Sequence, residues 1–195
     1  MNRFDDVIAA AAEVEAFCKA RGWCFCFIGG LAVQRWGSPR FTQDVDLTLL
    51  TGFGTEEPYV DALLQRFTGR VRDPRNFALQ HRVVLARTAG GVDLDIALGA
   101  LPFEEQAVAR ATPWQVNEHV ALTTCSADDL LVHKVFAGRD RDWADIESVL
   151  IRRHGQLDLD HVRRELAPLL EFKDDTQALG RLERMMAGVS DRLRG

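Results

Sequence analysis

The sequence predicts an α+β protein in which a small mixed β-sheet is flanked by helices and followed by a helical C-terminal subdomain. Up to Thr124, short apolar runs of strand length alternate with amphipathic segments of helical period, and beyond it only helical patterns recur. The chain has 195 residues, 47% hydrophobic and 27% charged, which is typical of one domain or a compact pair of subdomains. We therefore expect a core over residues 1–124 and a helical subdomain over residues 125–195, packed on the core.

The N-terminal part of the chain predicts two helices and two strands. Apolar residues at helical spacing predict a helix over residues 4–21, and the apolar run at residues 23–28 predicts a buried strand. Residues 30–36 predict a short helix, because a Gly-Ser-Pro sequence follows and breaks it. A second apolar run predicts a strand over residues 45–50.

The rest of the chain predicts a hairpin, two further strands and several helices. Loose alternation over residues 70–89 predicts a hairpin that turns near residues 73–76. A helix is expected over residues 102–111, because proline is favoured at the first helical position. The other expected elements are helices at 58–67, 130–137 (capped by Ser126), 143–153, 161–170 and 176–193, and strands at 92–98 and 116–122.

Composition excludes several classes of protein. No segment is long and apolar enough to span a bilayer, and the acidic, amphipathic N-terminus does not resemble a signal peptide, so we expect a cytoplasmic protein with no membrane partner. The four cysteines show neither a disulfide framework nor zinc spacing, which favours buried reduced thiols. A net charge of −5 argues against a general nucleic-acid coat protein.

One segment is locally basic. Between residues 66 and 87, six arginines accompany a single acidic residue, Asp73. They are Arg66, Arg70, Arg72, Arg75, Arg82 and Arg87. Two interpretations stay open, a solvated edge hairpin protected by charge, or a groove for a polyanionic acceptor or a triphosphate.

Two chemical motifs stand at a fixed distance in residues 26–50. Gly29 and Gly30 follow a strand and open a short helix, where a backbone without side chains can approach a ligand and free N–H groups point at an anion. Asp44 and Asp46 begin the next strand, and side chains two apart on a strand share a face. Two adjacent carboxylates repel each other unless a cation lies between them, and Mg²⁺ commonly takes one or two carboxylates together with substrate phosphates.

This pair of motifs resembles the signature of the nucleotidyltransferase superfamily with the polymerase-β-like fold. The variant GGLAVQRWGSPRFTQDVDL is most similar to the AbiEii/AbiGii-type branch, which includes abortive-infection toxins. In that branch an Arg-x-Thr-x-Asp precedes the second aspartate, here Arg40, Thr42, Asp44 and Asp46. Leu31 stands where many relatives outside the branch have serine, so the backbone must contact phosphate without a hydroxyl.

A two-metal site needs a third carboxylate near the first pair. The strand at residues 92–98 carries Asp93 and Asp95 on one face. The resemblance implies a third aspartate that is followed by apolar residues. Asp95 is the expected residue because Ile96 follows it directly, and Asp93 is the second choice.

A second segment, residues 126–150, carries the other part of the resemblance. Lys134 lies on an otherwise apolar helix face, where burying an unpaired ammonium is unfavourable. The resemblance implies that Lys134 contacts phosphate, whereas a lysine reaching solvent from a core helix is the ordinary alternative. Asp142 and Asp145 share a helix face and either hold Lys134 or orient a nucleotide.

The resemblance implies an Mg²⁺-dependent nucleotidyltransferase. It would move a nucleoside monophosphate from an NTP to an acceptor hydroxyl and release pyrophosphate, with two Mg²⁺ held by Asp44, Asp46 and Asp95. The triphosphate would lie against Gly29, Gly30 and Lys134. The other residues implied to bind the nucleotide are Arg40, Thr42, Asp142 and Asp145.

Several functions remain open at this point. AbiEii-type toxins imply tRNA or another RNA as acceptor and an antitoxin protein as partner, and antibiotic-modifying relatives imply an aminoglycoside-like small molecule. Alternatives of other classes are a non-catalytic nucleotide-binding regulatory module and a metal-dependent phosphohydrolase. The arginine-rich segment favours RNA, whereas an acidic groove would favour a cationic acceptor.

Overall fold

A computed structural model describes residues 3–194 and has the predicted α+β architecture. The helices are α1 (Arg3–Lys19), α2 (Gly29–Trp36), α3 (Glu57–Arg66), α4 (Pro74–His81), α5 (Pro102–Ala109), α6 (Ala127–Ala137), α7 (Asp140–Arg152), α8 (Leu159–Lys173) and α9 (Ala178–Arg194). The strands are β1 (Phe25–Phe27), β2 (Asp44–Leu50), β3 (Thr68–Gly69), β4 (Val83–Arg87), β5 (Asp93–Gly99), β6 (Thr112–Gln115) and β7 (Ala121–Thr124). No helix in this part of the chain is long and apolar enough to cross a membrane.

The strands form one mixed sheet in the order β3-β4-β5-β2-β1-β7-β6. The β2–β5 and β1–β7 pairs are parallel, and the other neighbouring strands are antiparallel. The mixed sheet inferred from the sequence is therefore confirmed. Strands β2 and β5 are the longest and lie side by side, so they provide a rigid support for the acidic side chains at their N-terminal ends.

The chain divides into two compact units. The first, the sheet unit, contains Phe41–Cys125 and the preceding residues up to Leu31. The second, the helical unit, contains Ala32–Arg40 and the residues from Ser126 onward. The division falls within α2, so that residues 32–40 group with the C-terminal helices although the sequence pattern placed them in the N-terminal core.

The core of the sheet unit follows the period-2 pattern of β2 and β5. Val45, Leu47 and Leu49 are fully buried, as are Leu94 and Ile96 on the neighbouring strand. Each such side chain contributes about 1.5–3 kcal/mol relative to exposure. Because side chains alternate along a strand, fixing these residues in the core turns the intervening acidic residues to the opposite face of the sheet.

The predicted hairpin over residues 70–89 is wrong. Asp73 caps α4, with its carboxylate accepting a hydrogen bond from the Asn76 N–H at 3.3 Å, and Pro74 occupies the first helical turn. The helix ends at His81, and the C-cap residue Arg82 is left-handed with a φ of 54°. An Asp-Pro sequence suits a helix N-terminus as well as a turn, and only the packing of the following residues distinguishes the two.

The predicted strand over residues 116–122 is also wrong. Asn117 forms a turn there, with its Oδ1 accepting hydrogen bonds from the backbone N–H groups of His119 and Val120, each at 2.9 Å. The strands β6 and β7 flank this turn and pair with each other in antiparallel fashion. The apolar residues Val116 and Val120 therefore lie at the ends of a hairpin loop, because the asparagine competes with the strand for backbone N–H groups.

Candidate active site

Four aspartates lie on one face of the sheet, at the same ends of two parallel strands. The register of β2 and β5 pairs Asp44 with Asp93 and Asp46 with Asp95. Residues in register on neighbouring strands point to the same side of the sheet, and the strands themselves lie about 4.7–4.9 Å apart. The two acidic pairs predicted from the sequence are therefore adjacent, because the shared register of two buried strands brings them together.

The Gly29-Gly30 turn lies against Asp46. Gly29 is left-handed with a φ of 55°, and a Cβ atom at this position would overlap the Asp46 carboxylate. The Gly30 N–H donates to Asp46 Oδ2 at 3.3 Å. Both glycines are therefore required by a close approach, since a Cβ atom at Gly30 would overlap the Thr42 hydroxyl.

Thr42 orients Asp44. Its hydroxyl is 3.0 Å from Asp44 Oδ1, and the residue is only 1% exposed. The family resemblance implies that Thr42 binds nucleotide, which stays a prediction; its described partner is the carboxylate two residues along the chain. The spacing of two residues was a signal for this contact that the sequence analysis did not use.

Two arginines, Arg70 and Arg87, contact the acidic residues of β5. The Arg87 Nε lies 2.5 Å from Asp93 Oδ1, and the Arg70 Nη1 lies 3.2 Å from Asp93 Oδ2. Arg70 also donates through Nη2 to Asp95 Oδ1. Asp93 is thus held between two guanidinium groups, whereas Asp95 contacts one.

The two acids of β5 have opposite pKa shifts. The hydrogen bond from Arg87, with the charges of both arginines, lowers the pKa of Asp93 despite its partial burial. Burial raises the pKa of Asp95, and the negative charges of Asp44 and Asp93 raise it further against the opposing effect of Arg70. Asp95 is consequently the more basic carboxylate of the two, and the charge of Asp44 acts on it directly.

A cavity of about 540 Å³ opens beside these carboxylates within the sheet unit. Asp44, Asp93 and Asp95 line it, together with Arg70, Arg87 and Gln43. Asp46 lies on the same face of the sheet but is directed to Gly30. The volume falls within the range of about 300–1,000 Å³ that is usual for small-molecule sites.

The donor atoms at this face have the chemistry that a divalent cation requires. Carboxylate oxygens are the hard ligands preferred by Mg²⁺. Burial raises the pKa of Asp95, and the charges of Asp44 and Asp93 add to this effect through a repulsion that a cation would relieve. Over residues 3–194, no three Asp, Glu, His or Cys side chains are grouped closely enough to hold a metal ion. In this structure Asp95 accepts a hydrogen bond from Arg70, and Asp46 accepts one from the Gly30 N–H.

A buried ionic network lies in the helical unit and contains four further residues from the sequence prediction. The Lys134 ammonium is 2.8 Å from Asp142 Oδ1 and 2.8 Å from Asp145 Oδ2. Arg40 binds Asp145 in a bidentate manner, through Nε at 2.5 Å and Nη2 at 2.8 Å. Both acids therefore hold Lys134, which was one of the two roles expected for them, and the phosphate contact of Lys134 stays a prediction.

Electrostatics within this network favour the ionised form of Asp145. Burial acts to raise the pKa of Asp145, but hydrogen bonds and charge from Arg40 and Lys134 outweigh it, so that the pKa lies below its usual value. Lys134, Asp142 and Asp145 are each buried, at 8%, 4% and 3% exposure. A buried lysine with two carboxylate partners is electrostatically satisfied, so its burial does not require a bound phosphate.

The arginine-rich segment is largely compensated by acidic partners. The pairs are Arg66–Glu13, Arg70 with Asp93 and Asp95, Arg75 with Glu57 and Asp61, Arg82–Glu56, and Arg87–Asp93. Only β3 among the segment's elements forms an edge of the sheet, so the edge-hairpin interpretation does not describe it. Since five of the six arginines are engaged in ion pairs, the segment does not provide the free positive charge that an RNA groove needs.

The comparisons with known proteins agree with this architecture. Residues 18–193 match the family model described as "Nucleotidyl transferase AbiEii toxin, Type IV TA system". A solved antigenic nucleotidyltransferase-like protein from Paracoccidioides brasiliensis is 17% identical, with a TM-score of 0.54 over 90% of this chain and 93% of that chain. The antibiotic-resistance factor ANT(2'')-Ia is 18% identical, with a TM-score of 0.52 over 94% and 99%. No curated protein matches the sequence. The family match confirms the resemblance inferred from the sequence, and the two structures support the fold.

Proposed function

This chain belongs to the AbiEii family of nucleotidyl transferase toxins, and on that premise we propose that it moves a nucleoside monophosphate from an NTP to an acceptor hydroxyl in the cytoplasm. The observation that carries the proposal is the register of β2 and β5, which sets Asp44 and Asp46 beside Asp93 and Asp95. Four carboxylates at register positions of two neighbouring strands repel one another. Arg70 and Arg87 offset this repulsion at Asp93 and Asp95, and a divalent cation beside Asp44 and Asp46 would offset it further.

We propose that Asp44, Asp46 and Asp95 hold two Mg²⁺ ions. When bound there, the ions supply Lewis acidity to the acceptor hydroxyl and neutralise charge on the departing pyrophosphate. Asp95 is preferred to Asp93 as the third carboxylate. The reason is that Asp93 is held between Arg70 and Arg87, whereas Asp95 is paired in register with Asp46.

The residues of this chain orient the reactants and accept a proton. Gly29 and Gly30 allow the Asp46 carboxylate and the Thr42 hydroxyl to lie directly against the backbone. The N–H groups at the start of α2 are proposed to approach a phosphate. The raised pKa of Asp95 suits it to accept the proton of the acceptor hydroxyl at its carboxylate oxygen.

Thr42 orients the carboxylate of Asp44, and Arg40 binds the carboxylate of Asp145, so we assign both to positioning. Lys134 is proposed to contact a phosphate of the nucleotide, with Asp142 and Asp145 holding its ammonium.

RNA, such as tRNA, is the first candidate acceptor. The family is described as the toxin of a type IV toxin–antitoxin system, which supports a macromolecular target in the cell and an antitoxin protein as partner. A second candidate, a small cationic acceptor of aminoglycoside type, is favoured by one observation. Asp44, Asp93 and Asp95 line the cavity against Arg70 and Arg87, which are both engaged with those acids.

The two acceptors are distinguished by incubating the protein with each labelled NTP, Mg²⁺ and either total RNA or an aminoglycoside. Transfer to RNA appears as a labelled band on a denaturing gel, and transfer to the small molecule appears as a labelled product together with pyrophosphate. Release of free phosphate without any labelled acceptor would instead indicate a phosphohydrolase and would refute nucleotidyl transfer.

A further inference from the structure

Arg70 occupies a fixed position next to the candidate catalytic carboxylates. It follows β3 directly, and its backbone N–H donates to the Leu85 carbonyl on β4 at 2.9 Å. This hydrogen bond fixes the backbone of Arg70 to the sheet. The Arg70 side chain is 23% exposed and lines the cavity, so it is held by the protein but remains within reach of solvent ions.

The guanidinium bridges the two acids of β5. Nη1 donates to Asp93 Oδ2 at 3.2 Å, and Nη2 donates to Asp95 Oδ1 and to the Leu94 carbonyl at 3.4 Å. Asp93 has a second cationic partner, since Arg87 Nε lies 2.5 Å from its Oδ1. Loss of the bond to Asp95 would therefore leave Arg70 paired through Asp93.

The hydrogen-bond donors of the Arg70 side chain are not all paired in this position. Its Nε is buried and has no hydrogen-bond partner in the described part of the chain. A buried donor without a partner is unfavourable, so the contacts of Arg70 with Asp93 and Asp95 carry an energetic cost in this position. Arginine remains charged at any physiological pH, and the guanidinium therefore behaves as a permanent cation of the site.

From these contacts we propose that Arg70 is a positioning residue that competes with a divalent cation for Asp95. This inference rests on the proposed metal-binding role of Asp95. In the metal-free protein the guanidinium neutralises Asp93 and Asp95 and keeps the acidic face folded. When a cation is bound, Asp95 Oδ1 turns to the cation and Arg70 remains on Asp93. The affinity for the cation is thus set by Arg70, which prevents tight metal binding before the nucleotide supplies further oxygen ligands.

Measurement of Mn²⁺ binding without nucleotide tests this competition, by electron paramagnetic resonance and by titration calorimetry. We expect Arg70→Gln to bind Mn²⁺ about tenfold more tightly or more, because a charge-assisted hydrogen bond no longer has to be broken. The matched control is Arg75→Gln, which removes an exposed arginine that bridges Glu57 and Asp61 outside the cavity and should leave the affinity unchanged. A merely structural role for Arg70 would loosen the site and weaken binding, so unchanged or weaker affinity overturns the proposal.

A second variant covers the case in which Arg70→Gln does not fold. Arg70→Lys keeps the charge but lacks the planar fork that bridges two carboxylates, and it should bind Mn²⁺ more tightly than the wild type by a smaller factor. Unchanged or weaker binding by a folded Arg70→Lys protein counts against the competition in the same way.

The proposed function is tested separately, by measuring the transfer of labelled nucleotide by the wild-type protein. Transfer by the wild type without any gain in Mn²⁺ affinity in the Arg70 variants refutes the competition alone. A gain in affinity without transfer by the wild type refutes the proposed function alone.

Discussion

Asp46 on β2 is the register partner of Asp95 on β5, one strand away in a parallel pair. The pair that precedes it, Asp44 with Asp93, repeats the arrangement two residues earlier. Residues about 50 positions apart are thereby fixed on one face by the packing of Leu47, Leu49 and other apolar neighbours beneath them. The backbone positions of these acids are consequently set by the core of the sheet, which provides the preorganisation that a catalytic site requires.

Replacement of Gly29 by alanine should abolish most of the transfer activity. The new methyl group would overlap the Asp46 carboxylate and displace it. We expect a fall in kcat of at least tenfold and a loss of unfolding free energy of about 1–3 kcal/mol, which is typical of overpacking. Denaturant unfolding and the labelled transfer assay measure the two effects.

Gly54→Ala is the matched control for this change. Gly54 also has a positive φ, at 76°, but a Cβ atom there would meet nothing within 4 Å. In both variants the alanine is held in a left-handed conformation, which costs about 1–2 kcal/mol. Only Gly29→Ala adds the overlap with the Asp46 carboxylate. Equal activity in the two variants would show that the close approach to Asp46 has no catalytic role.

Replacement of Thr42 by valine should lower kcat while leaving the fold intact. Valine has nearly the same shape but cannot donate to Asp44 Oδ1, so the carboxylate loses its fixed orientation. A hydrogen bond to a charged group contributes about 1.5–3 kcal/mol, which corresponds to roughly a tenfold or greater loss of rate. Thr42→Ser retains the hydroxyl and should restore most of the rate, whereas equal losses in both variants would assign the effect to packing.

Removal of the Lys134 ammonium should destabilise the protein strongly. Lys134→Met leaves Asp142 buried without its cationic partner, and breaking a buried pair in this way costs about 3–5 kcal/mol. Arg192→Met provides the comparison, because the Arg192–Glu147 pair is exposed and such pairs contribute only about 0–1 kcal/mol. Chemical denaturation measures the unfolding free energy of both variants. A small loss of unfolding free energy in Lys134→Met would mean that the lysine is solvated by water rather than dependent on the ion pair.

Asp95→Asn and Asp145→Asn should change stability in opposite directions at neutral pH. The pKa of Asp95 is raised in the folded state, so its ionised form opposes folding, and Asn at this position should raise the melting temperature. This gain should vanish as the pH falls below the value of about 3.9 at which an unfolded aspartate titrates.

The pKa of Asp145 is lowered in the folded state, so its charge stabilises the fold above the titration range of the unfolded chain. Asp145→Asn should therefore lower the melting temperature at neutral pH, and the difference from the wild type should shrink as the pH falls through the lowered pKa. Melting curves recorded in a metal chelator between neutral and acidic pH test both signs. A shift of the same sign for both variants would contradict the assigned electrostatics.

The sequence predicted the parts of the fold and site that depend on local periodicity. The apolar alternation of β2 and β5 places their acidic residues correctly, because burial of Leu47 or Ile96 fixes the direction of every neighbour. The helix α4 was missed because Asp73 and Pro74 are equally suited to a turn and to a helix start. Contacts between residues far apart in sequence could not be predicted from local patterns either. Arg70 with Asp95, and Arg40 with Asp145, depend on tertiary packing that no spacing along the chain indicates.

The most direct test of the central claim is the rate of labelled nucleotide transfer by Asp46→Asn compared with the wild type in Mg²⁺. Asparagine preserves the size of the side chain next to Gly30 but removes the negative charge that is proposed to hold the cation. We expect the wild type to label its acceptor and the folded Asp46→Asn protein to lose at least about a thousandfold in rate, roughly 4 kcal/mol. Transfer by Asp46→Asn at a rate close to that of the wild type would contradict the assignment of these carboxylates as the catalytic site.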